Sequence, residues 1–204
     1  MSTSFQQKET GSMTYPTNGT LNRFLFKLPV IWWRMGLGSI QGHWQLVLTT
    51  WGRKSKLPRH TMLTYTAYQG KAYIISGWNE RSDWYQNILA NSVVTVQSSL
   101  GTYSAFARRV SDIDEYRAVM EPIFQTGGDS HFRPWLQSLD IAHDLGDVIA
   151  KRERVFLIAL DPTPEAGPPA MPADLKWVWG AMAVSFVIGW LLGRYAAQES
   201  RSVT

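Results

Sequence analysis

The sequence predicts a mainly β, α+β protein, in which a small β-barrel or sandwich carries peripheral helices, followed by a single C-terminal transmembrane helix. Short strand-like segments recur at close spacing between turn residues, with few helical patterns among them. Hydrophobic residues make up 45% of the chain and include 10 Trp, 8 Tyr and 8 Phe, enough to build a core. The chain contains no cysteine, which excludes disulfides, thiolate metal sites and cysteine nucleophiles.

The N-terminal part of the chain predicts a tail and a helix before the first strand. Residues 1–19 are polar and lack the apolar core of a secretory signal, so they predict a disordered tail. Residues 21–38, "LNRFLFKLPVIWWRMGLG", predict an amphipathic helix that Pro29 kinks or divides. This helix either caps the core or lies on a lipid surface.

The strand and helix signals extend to residue 161 and predict one domain over residues 20–161. Helices are expected over 82–91 and 111–125, whereas residues 126–150 are mixed and rich in turn residues. In "YQGK", Gly70 is free to take the positive φ that a tight hairpin turn requires. Strands are expected over residues 43–51, 60–68, 71–77, 92–97, 102–110 and 154–162.

The composition changes at the C-terminal side of this domain. Residues 162–174 are rich in proline and small residues and predict an extended, semi-rigid linker. Residues 175–197 predict a transmembrane helix, because the 17 residues from Trp177 to Gly193 carry no charge. A buried core helix is the alternative, but a linker that detaches the helix from the core argues against it. Residues 198–204 are a short tail. A seam of small residues that recurs every four positions leaves a homodimer open: Ala181, Ser185, Gly189 and Gly193.

A short basic stretch between two predicted strands is the main candidate site. "LTTWGRKSKLPRH", from Leu48 to His60, places four cations within seven positions: Arg53, Lys54, Lys56 and Arg59. Gly52 allows a tight turn, whose backbone N–H groups point into one concavity that suits an anion. Arginine adds a flat fork for phosphate or carboxylate, and lysine adds a point charge. The alternative is a solvated loop that carries charge for solubility.

Several other classes of site do not fit the sequence. "GRKSK" lacks the spacing of a nucleotide-binding P-loop. The four histidines form no HExxH motif or close pair, so no metal site is predicted. The net charge of +4 fits an anionic ligand or a membrane surface, and the cations form one cluster rather than the long stripe expected of a nucleic-acid-binding protein.

Two sequence blocks resemble the deazaflavin-dependent nitroreductase family. They are "LVLTTWGRKSKLPRHTMLTY" and "KAYIISGWNERSDWYQNILANSVVTVQ", in the family's order and at its separation, and the resemblance covers about residues 20–161. It implies a split β-barrel, similar to FMN-binding barrels, that binds coenzyme F420, a deazaflavin with a phosphate and an oligoglutamate tail. It also implies hydride transfer from the reduced cofactor to a quinone-like, nitro or enone acceptor.

The resemblance also implies a set of cofactor-binding residues. The loop would hold the phosphate and the tail carboxylates, the end of the first strand would lie along the cofactor, and the second block would hold the ring. The residues concerned are Arg53, Lys54, Ser55 and Arg59 for the anions; Thr49 and Thr50 for the strand; Ser76, Gly77 and Trp78 for the ring; and Asn87, which either fixes a neighbouring loop or contacts the ligand.

Two departures from the family pattern leave room for a different cofactor. Lys56 stands where the pattern has glycine, and Trp51 stands where it has a third threonine. Lys56 adds charge that suits an acidic tail, but it removes backbone freedom from the loop. FMN, which also carries a phosphate, therefore remains an alternative cofactor.

Hydride transfer needs a close approach of donor and acceptor and the exclusion of water, so no catalytic dyad is predicted and the catalytic residues are unknown. Tyr65, Tyr68 and Tyr103 are conceivable proton donors, although a structural role is favoured for each. Candidate walls of an apolar acceptor pocket are Trp32, Trp33 and the stretch 131–135.

The sequence thus predicts a membrane-anchored F420-dependent reductase of a hydrophobic acceptor, whose partners are that acceptor and membrane lipid. The catalytic domain is expected in the cytoplasm, where the cofactor is made. Two alternatives stand beside it: an FMN-dependent oxidoreductase on the same fold and a non-catalytic deazaflavin-binding protein.

Overall fold

Six strands close into one antiparallel β-barrel, in the order β1-β2-β3-β6-β5-β4 around its wall. The computed structural model describes residues 28–126 and 129–201. The predicted tail 1–19 and the first part of the predicted N-terminal helix therefore lie outside the described residues. The fold confirms a mainly β protein with peripheral helices. Of the two architectures that the sequence left open, a barrel and a sandwich, the structure is a barrel. The strands are β1 Gln45–Trp51, β2 Pro58–Tyr68, β3 Lys71–Ser76, β4 Val93–Ser98, β5 Gly101–Arg109 and β6 Phe156–Pro162.

The two ends of the barrel differ in what connects the strands. Strands β1 and β3 both pair antiparallel with β2, so they run the same way and finish at the same end, at Trp51 and Ser76. We call this end the loop end. The opposite end, the turn end, carries the tight β2–β3 turn, in which Gln69 and Gly70 have φ values of 48° and 75°. Gly70 thus adopts the left-handed conformation that the sequence predicts.

Alternation along β1 sorts its side chains between the interior and the exterior of the barrel. Leu46 and Leu48 belong to the interior cluster, whereas Val47 packs on the outer face. Helix α3 (Asp83–Ala90) closes the loop end. Helices α1 and α2 precede it in the chain and are described in the next paragraph. Helix α3 inserts three buried residues into the interior cluster: Trp84, Tyr85 and Ile88.

A short helical segment covers the outer face of β1 and β2. It consists of α1 (Leu28–Trp32), a π-helical turn (Trp33–Leu37) and α2 (Gly38–Gln41). Gly36 breaks its helical geometry with a φ of 92°, a conformation that glycine adopts without strain.

The region 126–150, whose sequence is mixed and rich in turn residues, contains two helices. They are α5 (Asp129–Ser138) and α6 (Leu145–Ala150), and together with α4 (Ile113–Thr126) they pack on the outer face of β3 and β6. Pro134 inside α5 weakened the helical signal of the sequence. The packing of this layer, rather than local propensity, stabilises both helices.

The proline-rich segment is extended, as predicted, but it is fastened to the barrel. Residues 163–175, which we call the strap, run across the outer face of β5 and β4. The Gln97 side chain donates to the Met171 carbonyl oxygen at 3.1 Å and accepts from the Met171 N–H at 2.7 Å. The Thr95 hydroxyl donates to the Pro168 carbonyl oxygen. The strap is therefore part of the barrel wall and not a free spacer.

The last helix, α7 (Trp177–Arg201), starts beside the N-terminal segment. The Trp179 indole N–H donates to the Met35 carbonyl oxygen at 2.8 Å, and Arg34 forms a bidentate ion pair with Asp174 of the strap. Among the residues that the structure describes, no helix combines the length and the apolarity needed to cross a membrane. The prediction of a transmembrane helix over 175–197 is therefore not supported. That prediction was based on the uncharged stretch from Trp177 to Gly193, which ends before Arg194.

Candidate functional site at the loop end of the barrel

The basic connection between β1 and β2 is a tight turn held by its own hydrogen bonds. The Gly52 N–H donates to the Leu57 carbonyl oxygen at 2.9 Å, and the Lys56 N–H donates to the Gly52 carbonyl oxygen at 2.8 Å. A Cβ atom on residue 52 would lie 2.5 Å from the Ser55 hydroxyl oxygen and 3.2 Å from the Leu57 carbonyl oxygen. Glycine at this position thus leaves room for the Ser55 hydroxyl and the Leu57 carbonyl oxygen, in the tight turn that the sequence indicated.

Lys56 adopts a backbone conformation that glycine takes without strain. Its φ is +55°, in the left-handed region that a non-glycine residue occupies at a cost of about 1–2 kcal/mol. The turn therefore forms with lysine at this position, and the side chain adds a cation to the loop.

Arg53 is held against helix α3. Its guanidinium donates to the Asp83 carboxylate at 3.0 Å and to the Asn87 amide oxygen at 3.2 Å. The Arg53 backbone N–H also donates to the Asn87 amide oxygen, at 3.1 Å. The Asn87 amide nitrogen in turn donates to the Thr50 hydroxyl at 3.0 Å. Asn87 is buried and therefore fixes the loop to the barrel, the first of the two roles considered for it.

The other cations of the loop remain exposed. Within the described chain, the side chains of Lys54 and Lys56 form no ion pair, and the Arg59 guanidinium donates only to the Ser55 hydroxyl, at 3.1 Å. These side chains keep hydrogen-bond donors for an anionic ligand. A cavity of about 340 Å³ lies beside them, lined by Trp51, Gly52, Arg53, Lys56, Ala90 and Asn91. We call it the basic cavity.

A second and larger cavity opens at the same end of the barrel, with a volume of about 530 Å³. The Trp135 indole N–H donates to the Gly77 carbonyl oxygen at 2.8 Å, which joins helix α5 to the loop that follows β3. The Phe132 and Trp135 rings pack with their centroids 5.5 Å apart. We call this the aromatic cavity; its walls include Gly77, Trp78, Arg81, Trp135, Arg154 and Phe156.

Ser76 stabilises the loop that follows β3 through hydrogen bonds. Its buried hydroxyl donates to the Asn79 carbonyl oxygen and lies 2.9 Å from the Ser82 hydroxyl, at the start of α3. Of the three residues predicted to bind the ring, Gly77 and Trp78 line the aromatic cavity, whereas Ser76 shapes the loop that carries them.

Thr49 and Thr50 face opposite sides of the strand, because side chains alternate along β1. Thr50 points towards Asn87 at the loop end. Thr49 lies on the outer face, 3.0 Å from His60 Nδ1, where burial and the Arg34 charge lower the pKa of His60. The structure therefore separates Thr49 from the other predicted site residues.

The tyrosines considered as proton donors lie at the turn end. Tyr65 and Tyr103 line a cavity of about 210 Å³ there, together with Gly70 and Leu100 of the two hairpin turns. The Tyr65 hydroxyl donates to a backbone carbonyl oxygen, and burial raises the pKa of Tyr103. Tyr68 ends β2 at the same end. None of the three lines either cavity at the loop end.

The residues predicted to form walls of the acceptor pocket also lie in different places. Trp135 lines the aromatic cavity, whereas Trp33 is buried on the outer face of β1 and Trp32 is exposed. Sequence reasoning missed Asp83, Arg154 and other contributors to the site. Asp83 lies in the helix predicted over 82–91, but its ion pair with Arg53 joins residues 30 positions apart. The position of Arg154 at the cavity likewise depends on contacts between distant parts of the chain that no local pattern reveals.

These features define a class of protein: a small β-barrel with a basic cavity and an aromatic cavity at the same end. The sequence comparison finds one family with the same motif blocks. Residues 34–126 match the F420H(2)-dependent quinone reductase family, which confirms the resemblance seen in the two motif blocks. The matched region contains the basic loop, helix α3 and strands β1 to β5, which makes this part of the chain similar to F420H(2)-dependent enzymes.

Similar solved structures have low sequence identity to this chain. An F420-H2 dependent reductase (FDR-A) is 17% identical, with a TM-score of 0.42 over 57% of this chain and 93% of that one. A putative pyridoxamine 5'-phosphate oxidase from Listeria innocua is 15% identical, with a TM-score of 0.40 over 62% and 89%. The heme storage protein HutZ from Vibrio cholerae is 13% identical, with a TM-score of 0.42 over 72% and 97%. No curated protein matches the chain in sequence.

Proposed function

We propose that this protein is an F420-dependent reductase that transfers a hydride from the reduced cofactor to a hydrophobic, quinone-like acceptor, with nitro compounds and enones as related acceptors. One observation carries the proposal: the basic and aromatic cavities share the loop end of the barrel, at opposite ends of helix α3. This helix has eight residues and is about 12 Å long. A cofactor with a ring and an anionic tail needs two such sites at a distance of this order.

The charges of the loop fit the anionic part of the cofactor. Lys54, Lys56 and Arg59 supply the cations for the phosphate and tail carboxylates, since their side chains are exposed and keep free donors. Arg53 serves mainly to position the loop, because Asp83 and Asn87 already engage its guanidinium. The Ser55 hydroxyl accepts from Arg59 and can donate its own proton to a phosphate oxygen.

The aromatic cavity fits the ring and the acceptor. When bound, reduced F420 supplies the hydride. Gly77 offers backbone groups, and Trp78 and Trp135 supply aromatic surface beside the polar and charged residues that complete the lining, among them Glu80, Glu153 and Arg154. Arg81 also borders this cavity and stabilises the negative charge that develops on a carbonyl or nitro oxygen as the hydride arrives. Solvent supplies the proton, because the candidate tyrosines lie at the other end of the barrel.

We further propose that α7 holds the enzyme at a lipid surface, with the barrel in the cytoplasm. Its exposed side chains are large and apolar, including Phe186, which is 76% exposed, and Leu192, which is 65% exposed. Trp177 and Lys176 at its start suit the interface of an anionic membrane. Contact with lipid would place the enzyme among lipid-soluble acceptors at high local concentration. A homodimer formed through the small-residue seam of α7 is the competing use of this surface.

The test of the reaction uses the full chain, reduced F420 and a short-tailed menaquinone analogue under anaerobic conditions, with the absorbance of oxidised F420 as the readout. We expect enzyme-dependent oxidation of the cofactor, and a raised KM for the quinone in Arg81→Gln. Binding of reduced F420 without oxidation by quinone, nitro or enone acceptors would contradict the proposed acceptor class.

The test of lipid contact is flotation of the full chain with vesicles of phosphatidylglycerol and phosphatidylcholine. We expect the wild-type chain to float with the vesicles and Phe186→Glu to float less. Equal flotation of both proteins, or a stable dimer in detergent that Phe186→Glu dissociates, would contradict the proposed lipid contact.

A further inference from the structure

We propose that the cavity at the turn end of the barrel is a second ligand site, which takes a small uncharged ring compound with one hydroxyl or carbonyl oxygen, such as a phenol. This cavity of about 210 Å³ is lined by Tyr65 and Tyr103, and we call it the tyrosine cavity. It lies at the opposite end of the barrel from the basic and aromatic cavities, so the inference does not depend on the proposed reaction.

The tyrosine cavity is the open mouth of the barrel interior. Its walls come from inward-facing positions on five strands: Tyr65 and Ala67 of β2, Ala72 of β3, Ser98 of β4, Tyr103 of β5 and Pro162 of β6. Tyr65, Ala72 and Tyr103 belong to the interior cluster or pack against it. The other three lie two positions further along their strands than such residues, and because side chains alternate they also face inward. The mouth of a barrel is a common place for a ligand site.

Small side chains leave this mouth open. Ala72 and Ser98 occupy inward positions near the turns, whereas Ile74 and Val96, two residues deeper on the same strands, fill the interior and are at most 1% exposed. Leu100, in the turn between β4 and β5, lies at the rim and is 76% exposed. A ligand in the cavity would cover part of this apolar surface, which favours binding.

Three hydroxyl groups border the tyrosine cavity, and each keeps a hydrogen-bonding function for a ligand. Within the described chain the Tyr103 hydroxyl has no hydrogen-bond partner, and burial together with Tyr65 raises its pKa, so it keeps its proton and can donate. The Tyr65 hydroxyl donates to the Gly42 carbonyl oxygen at 3.0 Å, and its oxygen can still accept. The Ser98 hydroxyl oxygen accepts from the Leu100 N–H at 3.2 Å, and its proton can still be donated.

The charge of the lining selects an uncharged ligand. Lys71 is the charged residue among the described residues that line the cavity, and its ammonium already forms an ion pair with Asp161 at 2.8 Å. A charged ligand would therefore lose hydration without gaining a free counter-ion. A phenolic or alcoholic hydroxyl can accept from Tyr103 and donate to Tyr65, and a carbonyl oxygen can accept from Tyr103.

The experiment measures binding of para-fluorophenol to the full chain by fluorine NMR at neutral pH, where this probe is uncharged. Para-fluorobenzoate, which has a similar size but carries a negative charge, is the comparison ligand. Ala67→Phe places a ring in the mouth of the cavity, and Tyr103→Phe removes only a hydroxyl without a partner in the described chain. Thr64→Phe is the matched control, because it adds the same ring to an exposed position on the outer face of the same strand.

We expect the wild-type chain and Thr64→Phe to bind para-fluorophenol with a dissociation constant of about 1 mM. Ala67→Phe should weaken binding by about tenfold or more, and Tyr103→Phe by about two- to tenfold. Tyr103→Phe retains every hydrogen bond of the described chain, so it also tests the site if Ala67→Phe does not fold. Para-fluorobenzoate should bind about tenfold more weakly than para-fluorophenol.

No detectable binding of para-fluorophenol to the wild-type chain at about 10 mM would overturn the proposal. Binding unchanged in Ala67→Phe, or weakened equally in Thr64→Phe, would also overturn it, because the ligand would then lie elsewhere. Equal binding of the two probes, or binding unchanged in Tyr103→Phe, would contradict the proposed class of ligand.

Discussion

Asn87 joins the basic loop to the barrel, and replacing it with leucine tests this role. The side chain is 4% exposed and makes three hydrogen bonds, two with Arg53 and one with Thr50. Leucine has a similar volume but makes none of them. A hydrogen bond to a charged group contributes about 1.5–3 kcal/mol, and a neutral one about 0.5–1.5 kcal/mol.

In Asn87→Leu, Arg53 keeps its ion pair with Asp83 and some contact with solvent. The loss in free energy of unfolding should therefore lie near the lower end of the summed contributions of the three hydrogen bonds, at about 3 kcal/mol. For a chain of this size that loss lowers Tm by about 6–12 °C. Asn87→Asp is the control, because its carboxylate still accepts both bonds from Arg53 and the Thr50 hydroxyl can turn to donate. We expect it to lose less than about 1 kcal/mol.

The assay is urea unfolding followed by circular dichroism, with F420 titration of each variant beside it. Asn87→Leu should also bind F420 more weakly than the wild-type chain, because the loop is no longer held in place. Equal stability of the leucine and aspartate variants, or a loss below about 0.5 kcal/mol for leucine, would refute the role that we assign to this network.

Three further predictions concern the surroundings of the site. Gln97→Leu should destabilise the protein by about 2–3 kcal/mol and speed proteolysis of the strap, because the Met171 N–H and carbonyl groups lose their partners. His60 has a lowered pKa in the folded protein, so the unfolded chain binds its proton more readily and stability should fall as the pH drops below about 6.5; His60→Gln should flatten the dependence of Tm on pH over that range. Trp135→Phe should lose about 1 kcal/mol of stability with the bond to Gly77, measured by thermal melting, and should raise the KM for quinone.

Local patterns in the sequence predict most of the barrel. Each predicted strand is present with its ends shifted by two residues or fewer, because alternation and turn residues are local properties. The strap was predicted to be a linker because its composition is rich in proline and small residues. Composition alone does not predict which residues such a segment contacts. Gln97 and Thr95 hold the strap, and both lie far from it in sequence.

The site was predictable to a similar extent. The cation cluster and Gly52 are visible in one short stretch of sequence, and the structure places Gly52, Arg53 and Lys56 at one cavity. The separation of Thr49 from Thr50 follows from strand alternation, which the sequence already contains. The aromatic cavity depends on the packing of α5 against the loop after β3, and the proline in α5 concealed that helix.

The most direct test of the account is a fluorescence titration of the full chain with F420 and, separately, with FMN. The account predicts binding of F420 that weakens as salt is raised and weakens in Lys54→Gln/Arg59→Gln, because exposed cations hold its anionic part. It also predicts much weaker binding of FMN, which carries a phosphate but no acidic tail. Preference for FMN, or F420 binding that neither salt nor the double variant changes, would contradict the assignment of the basic loop to the cofactor.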